Sequence, residues 1–177
     1  MNFLKALWAF IEAIFMRPNY DEPVMDNPVN KEVAEAVKEV MKSKRQRILE
    51  AARTALRTDA SPNNKTSSGT ACAETVSHII HPITESIPTD VLSTVELTYY
   101  LDQSHEYIDT RLPKEGNIIM SHRKGGQLGH TGIFITPDTI ASNDSRTGKF
   151  EINYTLESWA EEMRGKRGLN ILIFEAV

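Results

Sequence analysis

Three side chains, Cys72, His130 and Asn143, have the types and the chain order that thiol-based amide chemistry requires. In such chemistry a cysteine is the nucleophile, a histidine takes its proton, and a third group fixes the tautomer and orientation of the imidazole. Cys72 is the single cysteine of the chain, so an intrachain disulfide is excluded. The alternative for a lone cysteine is a small buried core residue. The surrounding residues decide between the two.

The segment around Cys72 predicts a helix that begins close to the thiol. Residues 72–80, CAETVSHII, have apolar residues at helical spacing, and Thr70 is the expected N-cap. A first-turn position lowers the pKa of a thiol, because free amides and the helix dipole stabilise the thiolate. The charge of Glu74 opposes this effect. The Gly/Ser-rich residues before the helix predict an accessible sulfur.

His130 is predicted to begin a strand, between Gly129 and Gly132. Small neighbours allow a ligand or another backbone to come close. Asn143 lies thirteen residues later, at the end of the next predicted strand, and adjacent antiparallel strands can place an amide beside an imidazole. The sequence therefore predicts the order Cys, His, Asn, with Asp144 as the fallback third member.

The other histidines suggest weaker sites. A zinc site would need Cys72, His78 and His81 as ligands. A spacing of six residues puts the first two on opposite sides of a helix, which disfavours such a site. His122 lies in a predicted exposed turn and is a candidate for contact with substrate. We therefore predict neither a metal nor a cofactor.

The predicted elements indicate an α+β fold. A helix at 88–101 precedes a series of strands with hairpin-length connections, which implies an antiparallel sheet. A short helix follows at 156–163. The predicted strands are residues 116–121, 129–136, 139–143, 149–154 and 169–174.

The amino terminus predicts a separate segment. Residues 1–16 are apolar apart from three polar side chains, too short to span a bilayer, and followed by no standard signal cleavage site. A proline-rich linker at 17–30 leads to a helix, or two with a break near Ser43, over about residues 29–57. We assign residues 1–43 to a segment that docks on a partner protein or a membrane surface, and residues 44–177 to the main domain.

The composition is that of an ordinary soluble globular protein. The chain has 177 residues, 40% of them hydrophobic and 25% charged, and a formal net charge of −4. Nucleic-acid binding usually requires a basic surface, so no nucleic-acid partner is predicted.

The chain resembles the NlpC-type cell-wall cysteine peptidases, a papain-like family related to the CHAP amidases and endopeptidases, and is similar in particular to small phage-encoded members. The resembling segments are ILEAARTAL (48–56), CAETVSHII (72–80), LPKEGNIIM (112–120), GHTGIFI (129–135) and IASNDSRTG (140–148). It departs from the family at Asn117, where the family usually has Asp, and around Cys72, where Asp-Cys-Ser-Gly is usual.

The resemblance implies a papain-like domain in which a nucleophile helix packs on an antiparallel β-meander. It implies that Cys72 attacks an amide carbonyl, that His130 is the base and that Asn143 orients it. The tyrosine that often precedes the nucleophile in relatives is missing from residues 58–71. The oxyanion is therefore assigned to the Cys72 amide, with Asn63 or Asn64 as side-chain candidates.

The implied activity is cleavage of peptidoglycan peptides, as an endopeptidase, through a thioester and without metal. One alternative is a non-catalytic component of a virion or envelope, favoured by residues 1–43, which no hydrolase needs. Another is an acyltransferase on the same scaffold. The expected location is a virion or the bacterial envelope.

Overall fold

The computed structural model describes residues 42–62, 64–67, 71–122 and 128–177, together with Glu32. The chain divides into two compact units, Met1–Met41 and Lys42–Val177. The hydrophobic segment 1–16 and the linker lie outside the described residues, as does the start of helix 29–57 apart from Glu32, so their roles stay predictions. Within the described ranges, no helix is long and apolar enough to cross a membrane.

Three helices precede the sheet. They are α1 (Lys44–Ala55), α2 (Cys72–Ile80) and α3 (Thr94–Gln103). The predicted break near Ser43 is confirmed, because Ser43 caps α1 in a capping box with Gln46. In α3 the Ser93 hydroxyl caps the first turn by accepting from the Glu96 amide at 3.1 Å.

The six strands form one antiparallel sheet, which confirms a mixed α+β protein. The strands are β1 (Tyr107–Thr110), β2 (Ile118–Ser121), β3 (His130–Phe134), β4 (Thr139–Asp144), β5 (Lys149–Thr155) and β6 (Leu172–Ala176). Their order is β1-β6-β2-β3-β4-β5. The predicted meander is therefore confirmed for β2 to β5 only: β1 was not predicted, and β6 inserts between β1 and β2.

The two faces of the sheet carry separate cores. The first face packs on α1, α2 and α3 through side chains that include Val76, Ile133 and Ala141. The second face is covered by α4 (Leu156–Trp159) and a π-helix (Ala160–Lys166). Its core includes Phe134, Ile140, Trp159 and Met163. Because strand side chains alternate between faces, this division assigns each strand residue to one side.

Helix α2 is the most enclosed of the helices. Every residue of it is buried except His78. It contacts β3, α1, α3 and β4, so its position is set by packing from several sides. Burial of this kind stabilises a nine-residue helix that would be marginal alone.

Gly116 is required where α1 meets the turn before β2. Its φ is +80°, and a Cβ there would collide with the carbonyl oxygen of Arg45. We expect Gly116→Ala to lower the free energy of unfolding by about 2–4 kcal/mol, the sum of backbone strain and collision. Gly168 has a similar φ of +66° and open space around it, so Gly168→Ala should cost only about 1 kcal/mol.

Chemical denaturation of the two variants tests this reason for the glycine. Gly165→Ala is the control without positive φ, since its nearest neighbouring atom would be 4.0 Å away. Equal losses for Gly116→Ala and Gly168→Ala would show that the contact with Arg45 contributes nothing.

Candidate active site

Cys72 is the first residue of α2, but it is enclosed. The N-cap is Ala71, which makes no side-chain capping bond, so the expected cap at Thr70 is wrong. Only 7% of Cys72 is exposed, so the expected accessible sulfur is wrong too. Cys72 is enclosed because α2 packs against β3 and β4 of the sheet and is buried at every residue except His78.

Burial controls the protonation of the thiol. It raises the pKa of Cys72 above the ordinary value, and this outweighs the amides of Thr131, Ala73 and Cys72 and the positive charge of Arg167, all of which lower it. The expected net lowering of the thiol pKa is therefore wrong for this resting structure. The helix-start effect exists, but desolvation of a thiolate in an enclosed position is larger.

The imidazole of His130 lies in an aromatic environment on the second face of the sheet. Its ring stacks on Trp159 with centroids 5.2 Å apart and meets the edge of Tyr154 at 5.6 Å. Burial, assisted by the charge of Arg167 and opposed by Glu162, lowers its pKa from 6.5 to about 4. The ring is therefore neutral at pH 7, as a base must be before it accepts a proton.

A chain of hydrogen bonds sets the tautomer of that ring. Asn153 donates through Nδ2 to the Asn143 carbonyl at 3.3 Å, so its Oδ1 faces Ser142. The Ser142 hydroxyl donates to that oxygen at 3.0 Å. Because the Ser142 hydroxyl proton is used in that bond, the Ser142 oxygen must accept from Nε2–H of His130, 2.9 Å away. The lone pair is left on Nδ1, which makes Nδ1 the basic nitrogen.

Ser142 thus occupies the orienting position that the sequence assigns to Asn143. Ser142 pairs with Gly132 in the β3–β4 register, so it shares the face of His130. Asn143 alternates to the face of α2, is 4% exposed, and has an Oδ1 with no hydrogen-bond partner among the described residues. Asp144 shares the face of His130, but its carboxylate binds Arg146 at 2.8 Å, which lowers its pKa to about 2.

The thiol lies near Thr131, the residue after His130 in β3, whereas the His130 ring lies on the face of the sheet opposite to α2. The Thr131 amide is directed at the sulfur, and Thr131 follows His130. The ring of Tyr154 contacts His130, and burial raises the pKa of Tyr154. No hydrogen bond joins the sulfur to the imidazole in the described part of the chain. Such contacts often tighten only when substrate binds.

A cleft of about 610 Å³ opens beside these residues. His130, Asn143 and Tyr154 line it, whereas Cys72 is not among its described lining residues. Leu92, Val95 and Leu128 form an apolar side. Arg167 lines it as well, held by Glu162 at 2.9 Å and by the Leu128 carbonyl at 3.1 Å. The sequence analysis missed Arg167, Ser142 and Asn153, because each reaches the site only through the tertiary fold.

The oxyanion candidates are only partly described. Asn63 lies outside the described residues. Asn64 has a left-handed φ of 53° and closes a turn by donating its amide to the Ser61 carbonyl at 3.0 Å. The assignment of either side chain to an oxyanion stays a prediction.

The remaining histidines lie apart from one another. His122 is half-buried and its Nδ1 has no partner among the described atoms. His78 is exposed, and His81 contacts the Ile87 carbonyl through Nδ1 at 2.7 Å. The described residues contain no group of three side chains arranged to bind a metal ion.

No protein-family model matches the chain, and no curated protein matches it in sequence. The resemblance to cell-wall peptidases therefore stays a prediction from the short motifs around Cys72 and His130.

We expect nitrogen NMR of His130 to show a neutral Nε2–H tautomer at pH 7 and a pKa of about 4. Because this pKa is below the unfolded value of 6.5, stability from the neutral ring is present above pH 6.5 and is lost as pH falls toward 4. Ser142→Ala removes the acceptor and should mix the tautomers, whereas the exposed Ser145→Ala should not. A dominant Nδ1–H tautomer in the wild-type protein would contradict the hydrogen-bond chain.

Proposed function

We propose that residues 44–177 form a papain-like thiol hydrolase that cleaves peptide bonds in peptidoglycan, with Cys72 as nucleophile and His130 as base. One observation carries the proposal. The only thiol of the chain begins a helix at the Thr131 amide, and the preceding residue of β3 is a neutral histidine whose basic nitrogen is set by Ser142 and Asn153. A helix that presents a cysteine to an antiparallel sheet is also the arrangement expected of a papain-like domain.

The chemistry starts from a neutral pair. As the sulfur attacks the amide carbonyl, its proton passes to Nδ1 of His130, so the charged pair forms only with the new C–S bond. The backbone amide of Cys72 stabilises the oxyanion. His130 then returns the proton to the departing amine, leaving a thioester. Water, deprotonated by the same nitrogen, hydrolyses the thioester and restores the thiol.

Approach of the thiol to Nδ1 is the step that this mechanism requires. Sulfur and ring are not hydrogen bonded in the described resting structure, and the ring is packed between Trp159 and Tyr154. Cys72 is already enclosed, and substrate in the cleft excludes water from His130, which lines it. Exclusion of water strengthens the interaction between the partial charges that develop. The activity is therefore coupled to occupation of the cleft.

The cleft has a size and lining suited to a peptide. Its volume is in the range of about 300–1,000 Å³ that ligand sites have. Leu92, Val95 and Leu128 offer apolar contacts, and Arg167 offers a positive charge to a substrate carboxylate. Asn143 also lines the cleft, where its side chain is placed to contact the backbone of a bound peptide. We assign Asn143 to substrate binding in this mechanism, and Ser142 to orientation of the base.

A non-catalytic domain of a virion or envelope is the second candidate. It is favoured by the enclosed Cys72, whose pKa is raised and whose sulfur makes no hydrogen bond to His130 in the described residues. An acyltransferase would use the same thioester but pass the acyl group to an amine or alcohol. In each case residues 1–16 would dock the protein on a partner or a membrane surface.

Release of new amines from purified peptidoglycan sacculi tests the proposal. Cys72→Ala should abolish release, and His130→Ala should lower kcat about 10²–10⁴-fold by removal of the base. Asn143→Ala should mainly raise KM, whereas Ser142→Ala should mainly lower kcat. Ser145→Ala, an exposed position on the same cleft, is the control.

Two results would reject the assignment. Amine release by folded Cys72→Ala would exclude a thiol mechanism. No release by the wild-type protein from sacculi of several wall chemistries would leave the non-catalytic candidate.

A further inference from the structure

Glu74 is a completely buried carboxylate in the first turn of α2, two residues after Cys72. It accepts hydrogen bonds from one short segment, residues 61–66. The donors are the Ser61 hydroxyl at 2.9 Å, the Thr66 hydroxyl at 2.6 Å, the Thr66 amide at 3.1 Å and the Lys65 amide at 3.4 Å. A buried carboxylate is costly unless hydrogen bonds replace its lost water, so these four contacts account for its presence inside.

The carboxylate is also well placed in its own helix. The amino end of a helix carries partial positive charge, and a negative side chain in the first turn is stabilised there. The largest effects on the pKa of the Cys72 thiol come from burial, backbone amides and Arg167, whereas the sequence predicts only an opposing charge at Glu74. Its carboxylate is instead occupied by the loop.

The loop before α2 is held at its two ends by different elements. Its first part joins the edge of β5: Arg57 donates to the Phe150 carbonyl at 2.7 Å, and Ala60 donates to the Gly148 carbonyl at 2.9 Å. The hydroxyl of Thr75 in α2 donates to the Ala60 carbonyl. Beyond Ala60 the side-chain contacts of the loop converge on Glu74.

The segment that Glu74 holds is the one that leads to the nucleophile. It contains the turn closed by Asn64 and Ser61 at 3.0 Å, and the chain continues from it to Ala71 and Cys72. A carboxylate that accepts from both Ser61 and Thr66 fixes the two ends of this turn relative to the first turn of α2. One side chain therefore joins this part of the loop to the helix turn that carries the thiol.

We propose that Glu74 is a positioning residue, whose carboxylate holds Ser61, Lys65 and Thr66 against the first turn of α2, the turn that begins with Cys72. This inference rests on the proposed function, since it assigns Glu74 a role in turnover through the loop. Glu74 touches neither the sulfur nor the cleft. Its loss should therefore act on the geometry of the loop and not on the chemistry of the thiol.

Glu74→Gln is the direct test, because the side chain keeps its shape. An NH₂ group replaces one carboxylate oxygen, so a donor then faces the donors of Ser61 and Thr66. Hydrogen exchange of the Lys65 and Thr66 amides should accelerate roughly ten- to hundredfold, as expected for the loss of a charge-assisted bond. Exchange of the β3 and β4 amides should not change. Amine release from sacculi should fall, and the pKa of His130 should stay at its wild-type value.

Glu96→Gln is a matched control. Glu96 has the same position in the first turn of α3 as Glu74 has in α2, but its side chain is exposed. It should change neither hydrogen exchange in the loop nor turnover. Thr66→Val removes a single hydroxyl donor and should give a smaller change in the same direction, so it decides the question if Glu74→Gln does not fold.

The outcomes separate the two proposals. Unchanged exchange at Lys65 and Thr66 in Glu74→Gln, or in Thr66→Val if the first variant is unfolded, would overturn the role of Glu74. Faster exchange with undiminished turnover would also overturn it, while the proposed hydrolase would stand. An inactive wild-type protein would instead remove the hydrolase, and with it the role of Glu74 in turnover.

Discussion

The contact between the start of α2 and the start of β3 is the constraint on which the site depends. The Cys72 thiol lies near Thr131, the residue after His130, because the helix lies against the sheet at β3. Val76 and Ile133, in the core between helix and sheet, fix that position. The same packing encloses Cys72, so burial raises the pKa of the thiol while it brings the sulfur to the Thr131 amide. Placement and desolvation of the nucleophile are therefore consequences of one interface.

Arg167 acts electrostatically on both the Cys72 thiol and the His130 imidazole. Its positive charge lowers the pKa of Cys72 and also lowers the pKa of His130. The first effect favours a thiolate, whereas the second keeps the base neutral. Glu162 binds the guanidinium at 2.9 Å and moderates the effect on His130. Burial is the largest effect on both groups, and it favours a neutral thiol and a neutral imidazole.

Local patterns in the sequence predicted much of the fold. Helical spacing gave the bounds of α2 correctly, and the glycines, prolines and alternating apolar residues gave β2 to β5. What the sequence did not reveal was long-range pairing: β1 pairs with β6, which comes from the end of the chain and separates β1 from β2. A four-residue strand whose partner lies more than sixty residues away leaves no local signature.

The third member of the site shows a second limit. The sequence does not fix which residues form the turn between β3 and β4, so the pairing register of the two strands stays open by one residue. A register shift of one residue moves a side chain to the other face of a sheet. The prediction of Asn143 was one residue from Ser142, whose hydroxyl contacts His130. Asn153 could not be predicted either, because it is brought to Ser142 by an irregularity in the β4–β5 pairing near Ile140 and Ala141. Burial of Cys72 is equally a property of the assembled helices and sheet.

The most direct test is the mass of the intact protein, acid-quenched within seconds of mixing with soluble peptidoglycan peptides. The account predicts an adduct equal to the acyl part of the cleaved peptide, located on Cys72, absent from Cys72→Ala and removed by hydroxylamine, which cleaves thioesters. Release of product by the wild-type protein with no such adduct at any quench time, or an adduct on another residue, would contradict it.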